Sequence, residues 1–365
     1  MADALLLRVG APCELVSGGG APVFTSFLMD QTTDQTEYIF QSPAAIAITK
    51  LGFRYGLRTG TPPTFKISLQ GVDAAGDPNG TIQGGGSPAS ATFTPPADAT
   101  WDGTWRWITL DNSFTTARGA FYAIVVAYDS GTIDGSNNSS FTTDVTSVTT
   151  TSGHQRGYAI QNNAGVRARR GNQIVFGYQS AGATYGFPML ASNNVAFGSG
   201  STPDEYALRF LLPAGWGNTF RVVGVRWRGD PPLANDYVIN LYEGVTVLQS
   251  VTIDKDYSTA PAGGTDRNWE YYFDEVTLSI LNFGTEYRLG LQSGLSDSLS
   301  VRTLVVSVAG EASAFVGGTN FYLSTRTDAG SWTDVQTERP LMELVLADWT
   351  VPAGEPVGQA LATYL

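Results

Sequence analysis

The chain has 365 residues, enough for two ordinary domains that each bury a core. It is 42% hydrophobic but only 15% charged and holds 42 glycines, which argues against salt-bridged helical surfaces and for short strands with tight turns. The net charge of −12 argues against nucleic acid as a partner, because a phosphate backbone attracts basic surfaces.

Residues 1–23 read as an N-terminal arm. Leu5, Leu6 and Leu7 are apolar yet precede the first domain, so they are expected to be buried as assembly contacts against a neighbouring molecule. The start lacks the basic residues and apolar length of an export signal, which predicts a protein made in the cytoplasm without one. Cys13 is the sole cysteine, so no internal disulfide is expected.

The first domain is read over residues 24–186. Phe65, Ile67 and Leu69 alternate with Lys66, Ser68 and Gln70, and Tyr122, Ile124 and Val126 form a second alternating set. Period two with one apolar face predicts strands lying on a core. The turn clusters Asp77-Pro78-Asn79-Gly80 and Asp134-Gly135-Ser136-Asn137 separate the strands. The second domain is read over residues 187–349, where Tyr237, Ile239 and Leu241, then Tyr287, Leu289 and Leu291, take up the same alternation. Residues 350–365 read as a C-terminal tail. No apolar run reaches the roughly 18 residues of a membrane span.

The two halves share more than period. Gly52-Phe53-Arg54-Tyr55 recurs as Gly224-Val225-Arg226-Trp227, and Pro62-Pro63 as Pro231-Pro232. Trp105-Arg106-Trp107 is matched to Trp269-Glu270-Tyr271, and Gly119-Ala120-Phe121-Tyr122 to Gly284-Thr285-Glu286-Tyr287. Matched residues stand between 164 and 172 positions apart, far longer than a solenoid repeat, which predicts a duplicated whole domain. The expected fold is all-β: two tandem antiparallel, jelly-roll-like β-sandwiches arising from an internal duplication.

Few residues offer chemistry. His154 is the only histidine, and Thr-Ser-Gly-His-Gln-Arg-Gly lacks a nucleophile elbow, so no catalytic residue is assigned. One His and one Cys cannot supply an ordinary zinc site. Asp73, Asp77 and Asn79, and separately Asp254 and Asp256, offer oxygen atoms to Ca²⁺, but neither set matches an EF-hand and a turn explains the first. No metal and no cofactor are expected. The basic cluster Arg167-Ala168-Arg169-Arg170 reads as a solvated loop or an intersubunit ion-pair partner.

Trp105 and Trp269 read as matched core rings, as do Tyr55 and Trp227. Trp101, Trp216 and Trp332 have no partner in the other half and sit beside glycines. They are the candidate ligand-binding residues, able to stack on a sugar face. The competing reading is that each caps one end of its own sandwich.

Lys66-Ile67-Ser68-Leu69-Gln70-Gly71-Val72-Asp73, then Gly76-Asp77-Pro78-Asn79-Gly80-Thr81, and the two Gly-x-x-Tyr segments resemble a recurrent jelly-roll pattern. The second half departs at the turn, where Glu243-Gly244-Val245-Thr246 stands instead. Domains of this kind are similar to those of phage tail and fibre proteins, virion decoration proteins, and bacterial surface or carbohydrate-binding modules. The resemblance implies a non-enzymatic structural protein of a phage or phage-like virion, at the tail, fibre or head surface. Its expected partners are other virion proteins and copies of itself, with a homotrimer for a tail or fibre role, and a cell-surface glycan for attachment. One rival is a bacterial glycan-binding or adhesion protein with a shallow aromatic groove. Another is a glycan hydrolase with a cleft holding paired carboxylates.

Overall fold

The computed structural model describes residues 6–10, 24–42, 44–95, 105–144, 158–163, 166–170, 176–180, 183–186, 192–198, 203–230, 235–254, 267–273, 278–293, 298–305 and 321–347. Every strand ladder among them is antiparallel. The helical element among the described residues is a 3-10 turn, Ala214–Trp216. No helix among them is long and apolar enough to cross a membrane.

The chain divides into two compact units. The N-terminal unit is Pro22–Met189; the C-terminal unit is Leu190–Leu365 together with Met1–Ala21. The arm read from the sequence as a separate element therefore belongs to the C-terminal unit, to which it contributes strand β1 (Leu6–Gly10). The N-terminal unit holds β2 (Phe24–Met29), β3 (Gln35–Gln41), β4 (Ala47–Thr59), β5 (Thr64–Val72), β6 (Pro78–Ile82), β7 (Ser90–Phe93) and β8 (Trp105–Thr115). It continues with β9 (Phe121–Ser130), β10 (Asn138–Asp144), β11 (Tyr158–Asn163), β12 (Val166–Arg170), β13 (Phe176–Ser180) and β14 (Ala183–Gly186). The C-terminal unit holds β15 (Ser192–Gly198), β16 (Glu205–Leu211), β17 (Thr219–Gly229), β18 (Tyr237–Glu243), β19 (Thr246–Ile253), β20 (Arg267–Tyr272) and β21 (Leu281–Asn282). It ends with β22 (Glu286–Gln292), β23 (Ser298–Val305), β24 (Phe321–Arg326), β25 (Thr333–Val335), β26 (Glu338–Pro340) and β27 (Met342–Ala347).

One sheet of the N-terminal unit runs β12-β11-β3-β9-β5-β6, with β7 also on β5. In its other sheet β4 pairs with β8, β13 and β10, which lead out to β14 and β2. The C-terminal unit has one sheet in the order β25-β24-β16-β22-β18-β19. Its other strands run β1-β27-β17-β20, with β21 on β17, and β15-β23-β26. The central strands of the two long sheets thus follow one order, and their registers agree. Tyr122 lies opposite Phe40, and Tyr287 opposite Phe210. Ile67 faces Val126 and Ile239 faces Leu291, each four residues beyond its tyrosine.

That tyrosine is held the same way in both units. The Tyr122 hydroxyl accepts a hydrogen bond from the Ala117 N–H at 2.8 Å, and the Tyr287 hydroxyl one from the Asn282 N–H at 2.9 Å. Both rings are buried. Each bond ties the turn that precedes a central strand to that strand's inward ring, in the manner of a tyrosine corner. The turns need glycine: Gly119 and Gly284 hold φ at 76° and 82°, in the left-handed region. Each donates its N–H across 2.7 Å, Gly119 to the Ser42 carbonyl and Gly284 to that of Leu212.

The alternating residues build the cores as the sequence predicts. Phe53 of β4 meets Phe93 of β7 at 4.8 Å and Phe141 of β10 at 5.3 Å, and Phe141 meets Phe65 of β5 at 5.5 Å, so these rings join the two sheets. In the C-terminal unit Trp227 of β17 packs edge-on against Tyr237 of β18 at 5.9 Å. Burying one such ring contributes roughly 1.5–3 kcal/mol.

One match between the halves needs correction. Trp107 lies opposite Gly52 on β4, and Tyr272 opposite Gly224 on β17. The register therefore aligns Trp107 with Tyr272 and Trp105 with Glu270, one residue away from the pairing of Trp105 with Trp269. A one-residue slip moves a side chain to the other face of a sheet, so the distinction is physical. In the observed register an aromatic ring lies over each glycine: a Cβ on Gly52 would sit 2.4 Å from the Trp107 ring, and one on Gly224 2.8 Å from that of Tyr272.

Replacing Tyr122 or Tyr287 by Phe keeps the ring but leaves a backbone N–H without its acceptor. We expect each variant to lose about 1–3 kcal/mol, read as a lower urea midpoint of the full-length protein. An unchanged midpoint in both would show that the hydroxyl bond does not hold the turn.

Candidate functional site

Along β16, Tyr206, Leu208 and Phe210 are the inward residues, which turns Glu205, Ala207 and Arg209 to the opposite face. The neighbouring strands add Asn240 and Tyr242 from β18, Glu286 and Arg288 from β22, Tyr322, Ser324 and Arg326 from β24, and Asp334 from β25. This face is rich in charge, yet Glu205, Arg209, Arg288 and Arg326 are all buried.

Two linked groups account for the charges. In the first, Arg326 Nε donates to Glu205 Oε2 at 2.6 Å and its Nη2 donates to the Tyr242 hydroxyl at 2.6 Å. Tyr242 in turn donates to Glu205 Oε1 at 2.7 Å. In the second, Arg288 pairs with Glu286 at 2.7 Å and with Asp334 at 3.0 Å, while Glu286 also takes Arg209 at 2.5 Å. The Arg209 guanidinium lies 4.6 Å above the Tyr322 ring, and the Tyr322 hydroxyl donates back to Asp334 at 3.2 Å. Ser324 accepts from Arg288 Nε and donates to Asp334, which closes the circuit. Three carboxylates thus meet three guanidinium groups, and the cluster is neutral.

Gly290 makes room for it. A Cβ there would stand 2.3 Å from Glu205 Oε1, so the carboxylate occupies space that any other residue at 290 would fill. Above the cluster lies Trp332. Its ring is 4.6 Å from the Arg326 guanidinium, 5.5 Å from that of Arg288, and edge-on to Tyr242 at 5.4 Å. The turn that delivers this ring from β24 holds Asp328 and Ala329 at φ 51° and 56°. Left-handed backbone costs a non-glycine residue roughly 1–2 kcal/mol, and the contacts of Trp332 with the two cations act against that cost.

The ionisation states follow the contacts. Burial opposes the charge on Asp334, but hydrogen bonds from Ser324 and Arg288, the Arg288 charge and the Tyr322 hydroxyl outweigh it and hold the carboxyl below its ordinary value of 3.8. Burial, with the hydrogen bond to Glu205, pushes the Tyr242 hydroxyl up, so it stays protonated. An acid catalyst needs a carboxyl with a raised pKa, and Asp334 is shifted the other way. The arrangement fastens a turn across a sheet.

Of the residues singled out from sequence, Trp332 is in this cluster, half-buried and engaged by two arginines. Trp216, in the 3-10 turn, is only 7% exposed, so its ring face is not offered to a ligand; the small turn seats it in the protein interior. Trp101 and Leu5 lie outside the described residues, as do His154 and Cys13. Leu6 and Leu7 stand in β1 opposite Ala347 and Leu346 of β27, within the chain's own C-terminal unit. The Oδ1 of Asp73 accepts the N–H groups of Ala75 and Asp77, both at 2.9 Å, and so builds the turn. No group of three or more His, Cys, Asp or Glu that could hold a metal occurs among the described residues. Arg167, Arg169 and Arg170 fall on β12, the strand at one end of its sheet, and not in a loop.

The sequence reading missed Glu205, Tyr242, Arg288, Arg326 and Asp334. The signal was present in the matched segments. Phe121 and Ala123 flank one tyrosine; Glu286 and Arg288 flank the other. The inward positions stay apolar in both segments while the outward ones change to charge.

Comparison with known proteins adds little. No family model matches the chain, and no curated protein matches it. A solved structure entitled "Structure of infectious bursal disease virus Gt strain" aligns with 96% of this chain and 78% of its own at 9% identity, with a TM-score of 0.14. A likeness that weak carries no argument.

Replacing Glu205 by Gln keeps the shape but leaves Arg326 buried without its counter-ion. We expect a loss of roughly 3–5 kcal/mol, seen as a lowered urea midpoint. The second expectation concerns acid. Because the folded-state pKa of Asp334 is depressed, its contribution is present above the unfolded value near 3.8 and is lost as pH falls through the lower folded value. The fall in urea midpoint between pH 7 and pH 3 should therefore be smaller in Asp334→Asn than in the parent. Equal falls in the two would remove Asp334 from the account of acid sensitivity.

Proposed function

We propose that the protein is a non-enzymatic structural component of a phage or phage-like virion, at the tail, fibre or head surface. The observation that carries this reading is the neutral ion-pair lattice on the outer face of the C-terminal unit. Its carboxylates, cations and aromatic rings bind one another and fix a turn, as a shape-holding role requires. The resemblance of the alternating strands, the Asp-Pro-Asn-Gly turn and the paired Gly-x-x-Tyr segments to jelly-roll domains supplies the virion context. The common strand order, with the same tyrosine bond in each unit, supports an origin by internal duplication. Its partners on this reading are other virion proteins and copies of itself, with a trimer suited to a tail or fibre. Of the three rings proposed for attachment to a glycan, Trp216 is buried, which leaves Trp332 and Trp101, the latter outside the described residues.

Density-gradient fractionation of a lysate from the native source, probed with an antibody to this protein, tests the reading. The protein should band with assembled particles in a fixed ratio to their other components and resist a high-salt wash. Recovery only in the envelope fraction would favour the adhesion reading, and release of reducing sugars from a glycan panel by the purified protein would favour the hydrolase; either overturns the proposal.

A further inference from the structure

Strand β27 lies between β17 and β1 and has every residue from Met342 to Ala347 buried. Such a strand needs a neighbour on each side, because an unpaired apolar edge is a template for uncontrolled pairing. The neighbour on its outer side comes from the opposite end of the chain. β1 pairs with it from Leu6 opposite Ala347 to Gly10 opposite Glu343, with Leu7 against Leu346 and Val9 against Leu344. The N-terminal unit fills its equivalent place differently. There β13 pairs with β4, and β14 closes the edge as the second arm of a hairpin, with Ser180 opposite Ala183. A hairpin strand is bound to its own sheet by a two-residue connection. β1 is joined to the next strand of the chain, β2, by residues 11–23, which include Gly18, Gly19 and Gly20. Thirteen extended residues reach about 45 Å.

We propose that β1 is exchanged between molecules, so that Leu6–Gly10 of one copy seats beside β27 of a second copy of this chain. The ladder is the same whichever molecule supplies the strand. Closure within a chain and closure between chains therefore differ only in the linker and in local concentration. A tether of this kind gives an effective concentration on the order of mM, and copies held side by side in an oligomer reach the same order. The occupant is specified by the register: a five-residue strand with leucine and valine opposite the leucines of β27. This exchange stands on the strand geometry and goes beyond the virion reading, since it holds for any oligomer of the chain.

Disulfide trapping tests it in the full-length protein. With Cys13→Ser removing the sole cysteine, one tagged chain carries Arg8→Cys and a differently tagged chain carries Val345→Cys, positions that lie opposite one another. After co-expression and mild oxidation, exchange yields a covalent heterodimer carrying both tags as the main oxidised product. The chain with both substitutions should then give dimers and longer ladders on a non-reducing gel. A double-substituted chain that runs only at monomer size, together with no heterodimer from the mixture, places β1 in its own molecule and overturns the proposal. Absence of any linkage in both overturns it too, because β1 would then not lie beside β27. Neither result bears on whether the protein bands with particles, so the two readings fail separately.

Discussion

A sheet with no helix to cover it must close its edges with strands, charges or bends and must cover both its faces, and most features of this molecule answer that requirement. The buried strand β27 is flanked by β17 and by β1. β12, at the end of the long N-terminal sheet, carries Arg167, Arg169 and Arg170, and a charged end strand resists pairing with a stranger. β19, at the end of the long C-terminal sheet, is joined to β18 through a register shift at Leu241 and Tyr242, which bends an edge away from flat pairing. The tyrosine bonds serve the same end from within, since each fixes where a central strand begins and hence the register of its neighbours.

The second half of the requirement, the outer face of the long sheet, is met in two chemical ways on one scaffold. In the N-terminal unit Ile39, Ala123 and Val125 are buried there, with Val72, Phe121 and Ala127 packed against them. The residues in the equivalent register of the C-terminal unit are Arg209 for Ile39, Arg288 for Ala123 and Gly290 for Val125, as the shared tyrosine fixes. Buried ion pairs rarely stabilise more than the apolar residues that could replace them, because desolvation removes most of the Coulomb gain. What the ionic version adds is position. Arg326 binds Glu205 and Tyr242 in directed bonds and offers its flat face to Trp332, so the turn at Asp328 and Ala329 has one place to sit. An apolar face would tolerate several placements of that ring.

The fold class was legible in the sequence because alternation reports the inward face. Ile67, Leu69, Tyr122, Ile239, Leu241 and Tyr287 were read as core and are buried. The Gly-x-x-Tyr segments were visible as repeats, although their meaning, a hydroxyl bonded to a backbone N–H five residues back, was not. The slip at Trp105 shows the limit of matching by residue type: tryptophan occurs in both segments, but the sheet aligns whichever ring covers the glycine. The ionic cluster was hidden for another reason. Its members come from five strands, and charges on outward positions look solvated in a linear sequence. Gly290 was the one local hint, a glycine within an apolar strand, which marks a close approach by another group. The pairing of β1 with β27 joins the two ends of the chain, and no local pattern could announce it.

Charge bears on the proposed exchange between copies. The cluster sets three acidic against three basic side chains, so it contributes nothing to the net −12, all of which falls on the remainder of the molecule. Copies therefore repel one another at long range, and salt near 0.15 M limits that repulsion to about 8 Å. A contact made of side-chain ion pairs would demand basic patches that the composition scarcely provides, with 21 basic residues against 33 acidic. A contact made by adding a strand to an edge uses backbone N–H and carbonyl groups, which carry no net charge and do not depend on sequence. Apolar residues at alternate positions then supply selectivity. For an acidic β-protein, strand addition is thus the mode of association that its electrostatics penalises least, and the edge of β27 is the place where the fold accepts a strand from outside the C-terminal sequence.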